Sequence, residues 1–388
     1  MLHQIKLPAY HTLLNSFLQL QHQFLEFVCT PKGSNPLTED SVKAAFDEKI
    51  GAWLWSKLWG KKSKKGTELF DDVQKLTTHI KENPGVREAV LSAFEHDITF
   101  HKHIDDASFQ FAYTLLRSDT KALLKPVMVA FYDFLYDGFF MPGLPIEQYY
   151  KRQDIANAFH TENKKSLGVC PACDGQPPTV IKNHSYADLD HFFPKSLYPF
   201  LSIHPYNLVP VCTECNGKFK KAIDPIKDHT CESLLDTFHP YQRPAIDTLD
   251  VQIVMGTSEG EVGELKVQMY DTSYKETNKL SQRIENMNRI FDLQERWESM
   301  HLYKIIEDIT QVLRDAKHRK EENELREDIF VRERLEDLLY DGTYKVGSKP
   351  YYIVTRSYTN YILTNVKDFS NLAELADVGI SEEKIYRR

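Results

Sequence analysis

Residues 186–195 read YADLDHFFPK, and the interpretation of the chain starts from this stretch. Apolar and charged positions alternate up to an adjacent aspartate and histidine, Asp190 and His191, which two phenylalanines and a proline follow. Alternation with period two predicts a short, half-buried β-strand. Adjacent residues on an ideal strand point to opposite faces, so Asp190 and His191 can act on one group only if the strand ends or bulges there. The segment FFP (192–194) is consistent with such an end.

Two C-x-x-C pairs flank this strand. Cys170 and Cys173 belong to CPAC on its N-terminal side, and Cys212 and Cys215 belong to CTEC on its C-terminal side. Four thiolates in two such pairs are typical of a tetrahedral structural zinc site, whereas a single pair would also suit a redox dithiol. Because disulfides do not persist in a reducing cytosol, zinc is the prediction, and a redox role is the alternative.

Composition limits the class of protein. With 388 residues, 41% of them hydrophobic, the chain is long enough for two or three globular domains. A formal charge of -8 argues against a protein that coats nucleic acid through bulk positive charge. No run of roughly 18 uncharged apolar residues and no signal-like start occurs, so a cytoplasmic protein without a membrane partner is expected. The remaining cysteines, Cys29 and Cys231, have no metal-like spacing and are predicted to be buried thiols.

The predicted fold class is α+β and mostly helical, in three parts. Residues 1–165 form a helical domain, because segments such as 13–28 and 86–106 carry apolar residues at three- and four-residue spacing. Residues 166–232 form the cysteine module. Residues 233–388 begin with a β-hairpin, in which DVQIVMG (250–256) and GELKVQMYD (263–271) alternate with period two. Two further expectations concern the C-terminal part: 283–340 forms one long helix or two packed helices, and 344–366 holds a short strand and a closing helix.

The motifs between and around the cysteines resemble the HNH endonuclease family. They are C-x-x-C, D-x-D-H with a proline three residues on, N-L-V-P, and C-x-x-C-N-x-K, in that order. The resemblance covers only the cysteine module. It implies a ββα-metal fold, in which a catalytic histidine ends the first strand, an asparagine precedes the second strand, and a metal ligand begins the helix.

The resemblance also implies roles for individual residues. His191 matches the general base that takes a proton from water, a task that suits a side chain titrating near neutral pH. Asp190 matches the metal-binding carboxylate beside it, and Asn207 matches the residue that braces the loop and orients the histidine. Asn216 stands where many relatives carry histidine, which makes an HNN variant. Asp188 shares a strand face with Asp190 and is either a further metal ligand, an outer-shell partner or an exposed carboxylate. Such oxygen ligands suit Mg²⁺ or Mn²⁺.

Basic residues near the module predict contacts to nucleic acid. Lys218, Lys220 and Lys221 follow Asn216 and are expected to face backbone phosphates. His204 is a candidate for a phosphate contact, with a structural role in the loop as the alternative. The lysine-rich segment GKKSKKG (60–66) is expected to be a solvated face.

The sequence therefore predicts a metal-dependent HNH endonuclease that hydrolyses phosphodiester bonds of DNA, with RNA and single strands also open as substrates. Structural Zn²⁺ and catalytic Mg²⁺ or Mn²⁺ are the expected ions. A bacterial anti-phage defence effector is one setting that large domains around an HNH module suggest. Two alternatives stand beside this prediction: a zinc-stabilised nucleic-acid-binding module without catalysis, and a nuclease silent until a partner such as an ATPase activates it. Because one such site cuts one strand, a double-strand break would need either a homo-oligomer or two successive cuts.

Overall fold

The structure is a computed structural model that describes residues 1–8, 11–30, 38–46, 48–56, 64–138, 152–226, 233–255, 265–272, 278–318, 327–340 and 347–365. The chain divides into two compact units. The helical unit consists of residues 6–163 and 178–237, and the hairpin unit consists of residues 1–5, 164–177 and 238–388. These boundaries divide the predicted cysteine module, because residues 166–177 belong to the hairpin unit and 178–232 to the helical unit.

The helical unit contains helices and two short antiparallel strand pairs. Its helices are α1 His11–Cys29, α2 Glu39–Ala45, α3 Glu48–Leu54, α4 Lys64–Glu82, α5 Val86–Asp97, α6 Ala112–Leu115, α7 Ser118–Gly138 and α8 Arg152–Asn163. Its strands are β1 Val180–Ile181, β2 His184–Ser185, β3 Asp188–His191 and β4 Leu208–Val211, and a π-helical segment spans Cys215–Lys220.

Helix α1 confirms the helical periodicity of the first segment. Phe17, Leu20, Phe24 and Val28 recur at three- and four-residue spacing and are all buried. Phe24 stacks on Phe131 of α7, with ring centroids 3.9 Å apart. Burial of each large apolar side chain contributes about 2 kcal/mol to the free energy of unfolding, so the helix is held by its packed face.

Helix α5 is shorter than the predicted helical segment 86–106. It ends at Asp97, whose carboxylate accepts hydrogen bonds from the backbone N–H groups of Ala112 and Tyr113 at 2.6 and 3.0 Å. The aspartate thereby satisfies amide groups in the first turn of α6. The chain between these two helices folds back instead of continuing as one helix.

An aromatic cluster anchors the loop that follows β3. Phe193 meets the rings of Phe100 and Phe111 at 5.3 and 5.1 Å, and Phe200 meets that of Phe94 at 5.3 Å. All five rings are buried. Contacts of this kind between aromatic rings stabilise a core by about 0.5–1.5 kcal/mol each beyond area burial. Phe193 of FFP and Phe200 therefore fix the loop that follows β3 to the helical core.

The hairpin unit contains the remaining elements. They are β5 Leu249–Met255, β6 Leu265–Asp271, α9 Asn278–Phe291, α10 Leu293–Arg296, α11 Tyr303–His318, α12 Glu327–Tyr340 and α13 Tyr352–Thr364, with a π-helical segment at Trp297–Leu302. Strands β5 and β6 pair antiparallel, with Ile253 opposite Val267, which confirms the predicted hairpin. Leu249, Val251 and Ile253 are buried while Gln252 is exposed, as period-two alternation requires.

The C-terminal helices differ in part from expectation. Instead of one or two long helices, several segments follow one another, and Asp292 between α9 and α10 has φ 52°, a left-handed conformation that ends a helix. The closing helix is confirmed as α13. Residues 347–351 form turns instead of the predicted short strand, and 344–346 lie outside the described residues. Within the described ranges, none of the helices combines the length and the hydropathy that a bilayer crossing requires.

Candidate functional site

Strand β3 ends at His191, which is the strand end predicted from YADLDHFFPK. It pairs antiparallel with β4, with Asp190 opposite Val209 and His191 opposite Leu208. Directly after the strand, the Phe192 N–H donates to the Asn207 carbonyl at 2.8 Å. The chain then leaves the ladder. The pairing is regular through both residues, without a bulge between them, and the strand ends directly after His191.

The imidazole of His191 is oriented by a backbone acceptor. Its Nε2 lies 2.9 Å from the Ser202 carbonyl oxygen, an atom that can only accept. Nε2 therefore carries the proton in the neutral ring, and Nδ1 carries the lone pair. The ring of Tyr132 meets the imidazole edge to face, with centroids 5.2 Å apart. This geometry gives a half-buried histidine whose Nδ1 can accept a proton.

Asn207 ties together the two ends of the loop that holds Ser202. Its side chain is fully buried, and its Nδ2 donates to the carbonyls of Phe193 and Leu201 at 3.0 and 2.9 Å. Its Oδ1 accepts from the Phe193 N–H at 2.6 Å. Since Leu201 immediately precedes Ser202, the amide of Asn207 fixes the peptide that orients His191.

Asp190 is buried beside an equally buried lysine. The Nζ of Lys220 lies 3.4 Å from Oδ1 and 3.3 Å from Oδ2 of Asp190, and it donates to the His191 carbonyl at 2.5 Å. Oδ2 makes no hydrogen bond in the described structure despite that ionic contact. Burial raises the pKa of Asp190 to about 6, against the opposing effect of Lys220, and burial lowers the pKa of Lys220, against the opposing effect of Asp190.

Asn216 lies beside the other carboxylate of β3. Its Nδ2 is 3.3 Å from Oδ2 of Asp188, and both side chains are partly exposed. The backbone N–H of Asn216 donates to the Cys212 carbonyl at 3.2 Å, which places the residue at the start of the π-helical segment. The oxygen-bearing side chains of Asp188 and Asn216 therefore adjoin each other.

The predicted phosphate contacts separate into exposed and buried residues. Lys218 and Lys221 are exposed, with an ion pair of 3.4 Å between Lys218 and Glu214. Lys220 is buried against Asp190, so it does not face solvent as the sequence predicted. The carboxylate of Asp190 accounts for that difference, because a buried ammonium needs an opposite charge.

His204 is also buried, contrary to the phosphate contact that the sequence suggested, and its place agrees with the structural alternative. Its Nε2 lies 2.9 Å from the Ile98 carbonyl, and its Nδ1 accepts from the Tyr206 N–H at 3.2 Å. Burial lowers its pKa to about 3, so the ring is neutral at neutral pH. Both ring nitrogens of His204 form hydrogen bonds with backbone groups.

Two contacts of Lys195 near His191, one with an aromatic ring and one with a carboxylate, do not follow from any sequence motif. Lys195 lies with its Nζ 4.3 Å from the centre of the Tyr132 ring and 2.8 Å from Oδ1 of Asp133. Lys195 belongs to YADLDHFFPK and is partly exposed. Its position within the motif could have drawn attention to it, whereas Tyr132 and Asp133 lie on α7 and share no pattern with the motif.

The four cysteines of the two C-x-x-C pairs form a cluster that can hold a metal ion. The Sγ atoms of Cys170, Cys173, Cys212 and Cys215 all lie within 4.8 Å of one another. A tetrahedral Zn²⁺ with Zn–S bonds of about 2.3 Å needs sulfurs about 3.8 Å apart, a separation that falls within this limit. All but Cys212 are buried, as structural thiolate sites are. The residues fit zinc.

Each cysteine pair is shaped by the same backbone turn. The N–H of the residue after the pair donates to the carbonyl of the first cysteine, at 3.1 Å for Asp174 and Cys170. Asp174 has φ 57°, and Gly175 follows without a side chain. A Cβ on Gly175 would lie 2.8 Å from the Tyr351 hydroxyl and 3.1 Å from the Cys173 sulfur. Glycine leaves room there for the Cys173 sulfur and the Tyr351 hydroxyl, which a larger residue would displace.

The CPAC turn is also held by distant residues of the hairpin unit. The buried Asp174 carboxylate lies 2.7 Å from Nε2 of His3, and it accepts from the Ile353 N–H at 3.2 Å. The indole N–H of Trp297 donates to the Cys173 carbonyl at 3.2 Å. The turn therefore depends on the packing of the hairpin unit as well as on any bound ion.

The remaining cysteines and the lysine-rich segment have separate outcomes. Cys29 is buried, as predicted, and burial raises the pKa of its thiol to about 12. Cys231 lies outside the described residues. The lysine side chains of GKKSKKG (60–66) also lie outside what the structure describes.

Comparison with known proteins does not assign the chain to a family. No family model, no curated protein and no solved structure matches this chain.

Proposed function

We propose that the protein is a metal-dependent endonuclease of the HNH type that hydrolyses phosphodiester bonds of DNA. The observation that carries the proposal is the strand end at Asp190 and His191. There a half-buried histidine has its Nε2 held by the Ser202 carbonyl, on a loop that Asn207 braces. A histidine in this tautomer, beside a carboxylate, is what base-assisted attack by water needs.

His191 is the proposed general base. Its Nδ1 takes a proton from the water that attacks phosphorus, and the hydrogen bond from Nε2 to Ser202 keeps Nδ1 directed and disperses the positive charge that develops on the ring. Asn207 acts through Ser202 as a positioning residue. Its buried amide keeps the carbonyl in place during proton transfer.

The chain's oxygen ligands fit a hard divalent ion. Oδ2 of Asp190 is buried and makes no hydrogen bond in the described structure, and a cation would satisfy it. Asp188 and Asn216 adjoin each other and supply further carboxylate and amide oxygens. Mg²⁺ or Mn²⁺ held there would stabilise negative charge on the phosphate oxygens. Zn²⁺ is assigned to the four thiolates, whose soft sulfurs suit it.

Three lysines are proposed to hold the nucleic-acid backbone. Lys218 and Lys221 follow Asn216 and are exposed, and Lys195 lies near the His191 ring through Tyr132. Their ammonium groups contact phosphates without reading sequence. DNA is the proposed substrate because of the resemblance of the module, and a defence setting would follow only from that same resemblance.

A zinc-stabilised binding module without catalysis is the second candidate. The cysteine cluster and the exposed Lys218 and Lys221 would suffice for it. It differs from the nuclease in that it binds DNA without cutting it, and a nuclease that needs an activating partner would cut only when that partner is added.

The test is incubation of zinc-loaded protein with supercoiled plasmid, with and without Mg²⁺ or Mn²⁺. We expect nicking that depends on the added ion and leaves 5′-phosphate and 3′-hydroxyl ends that DNA ligase can reseal. Binding without nicking under both ions would favour the second candidate or the partner-dependent form, and nicking that persists with chelator would reject the proposed chemistry.

A further inference from the structure

Lys220 is placed in a way that simple phosphate binding does not explain. Among the described residues, it is the one lysine that is buried, with a relative exposure of 0%. Its ammonium group lies within 3.4 Å of both carboxylate oxygens of Asp190 and donates to the carbonyl of His191. It therefore fixes the very junction at which the proposed metal ligand and the proposed base meet.

The ammonium group of Lys220 also lowers the net negative charge of the proposed metal site. Asp188 and Asp190 carry two negative charges, and Lys220 offsets one of them. Asp224 also attracts Lys220, but its two oxygens accept from the Tyr198 hydroxyl at 3.0 and 2.8 Å, which keeps that carboxylate in its own hydrogen-bonded site. The oxygen ligands beside His191 therefore hold about one net negative charge, which is little for a divalent ion.

A phosphodiester changes this balance. It adds one negative charge and further oxygen ligands, so that a divalent ion, Lys220, the two carboxylates and the phosphate together become close to neutral. The attraction between opposite charges a few ångströms apart is strong in a partly buried site. Metal affinity should therefore increase when the phosphodiester is present, and by linkage DNA affinity should increase when the metal is present.

We infer that Lys220 neutralises the charge of Asp190 in the free protein, and that the catalytic divalent ion therefore binds tightly only when a phosphodiester is also bound. This rests on the proposed function and deepens it, since Lys220 keeps the site poorly loaded until DNA arrives. Lys220 is a positioning residue in this account, because it acts through Asp190 and the His191 carbonyl. A nuclease built in this way would be restrained when no substrate is bound.

The test measures Mn²⁺ binding by electron paramagnetic resonance, with zinc-loaded full-length protein in a His191→Ala background so that DNA stays intact. Mn²⁺ does not displace Zn²⁺ from thiolates, so it reports the oxygen site. Each sample is compared without DNA, with a phosphodiester duplex, and with a duplex whose central linkages are uncharged methylphosphonates. Binding to the duplex alone is subtracted.

Three results are expected. The phosphodiester duplex tightens Mn²⁺ binding by at least about tenfold, and the methylphosphonate duplex does not. Lys220→Gln, which keeps a donor for the His191 carbonyl but removes the charge, tightens Mn²⁺ binding to the free protein by a similar factor and reduces the effect of DNA. Lys75→Gln is the matched control, because Lys75 is exposed on α4 and pairs with Asp72 instead, and it leaves Mn²⁺ affinity of the free protein unchanged.

Unchanged Mn²⁺ affinity in a folded Lys220→Gln protein would overturn the inference. Equal effects of the two duplexes would also overturn it, and this comparison needs no substitution at Lys220, so it decides even if Lys220→Gln fails to fold. The inference and the proposed function can fail separately. A protein that shows the Mn²⁺ shifts but never cuts DNA keeps the role of Lys220 and loses the nuclease, whereas a protein that cuts DNA without these shifts does the reverse.

Discussion

Substitution of Asn207 by alanine separates the stability of the loop from its role at His191. The side chain makes three buried hydrogen bonds, two to carbonyls and one from the Phe193 N–H. Each contributes about 1 kcal/mol net, so Asn207→Ala should lower the free energy of unfolding by about 3 kcal/mol. The loop peptide at Leu201 would also lose its restraint. We therefore expect single-turnover cleavage to fall further than the loss of folded protein explains.

The chain supplies a matched control for this substitution. Asn163 is also buried. Three of its hydrogen bonds are formed with the Lys6 N–H and with the carbonyls of Lys6 and Phe159, which lie outside the loop after His191. Asn163→Ala should be destabilised by a similar amount in urea unfolding but should cleave at the native rate where it is folded. If Asn207→Ala also cleaved at the native rate, Asn207 would not orient the base. A loss of stability well under 1 kcal/mol would refute the hydrogen-bond reasoning itself.

Three further predictions concern other parts of the chain. Cys212→Ser should lower the zinc content and the melting temperature, while Cys29→Ala should keep zinc; full zinc in Cys212→Ser, measured by elemental analysis, would contradict the cluster. Combined replacement of Lys218 and Lys221 by alanine should weaken binding to all DNA sequences alike and reduce the slope of log affinity against log salt by up to about 2, and an unchanged slope would place the backbone elsewhere. Burial raises the pKa of Asp97 to about 7, so its protonated form is favoured in the fold and stability should fall as the pH rises from about 4 through 7. Asp97→Asn should flatten that dependence in unfolding experiments from pH 4 to pH 8, and an equal slope in both proteins would reject the assignment.

Local patterns allowed several features to be predicted from the sequence. The strand end at His191 followed from alternation that stops before FFP, and the hairpin β5–β6 followed from period-two segments around a turn. The cysteine cluster could be predicted from the spacing of the two C-x-x-C pairs, because few residue types serve as ligands of a zinc site. In each case, the decisive residues lie close together in the sequence or belong to a motif with a fixed chemistry.

The features that were missed depend on partners that the sequence does not bring together. His204 was considered for a phosphate contact, but the carbonyl that binds it belongs to Ile98, more than a hundred residues earlier. Lys220 was expected to face phosphates, yet it is buried against Asp190. It lies in a π-helical segment, which a hydrogen bond from the Lys221 N–H to the Asn216 carbonyl closes. Sequence periodicity does not reveal that winding.

The division of the cysteine module between the two units was also not predicted, because it too depends on partners that are distant in the sequence. Residues 164–177 belong to the hairpin unit, where the His3 N–H donates to the Pro171 carbonyl and Trp297 donates to Cys173. These partners lie far from CPAC along the chain. Spacing alone therefore identified the ligands but not the unit that supports them.

The most direct test of the central claim compares His191→Ala with His184→Ala in single-turnover cleavage of a labelled DNA duplex with Mg²⁺. His184 is an exposed histidine on the neighbouring strand β2, so it controls for loss of an imidazole near the module. The account predicts that His191→Ala slows cleavage by at least about 10²-fold, with zinc content and DNA binding near normal, while His184→Ala cleaves at the native rate. Cleavage by His191→Ala at the native rate would contradict the account.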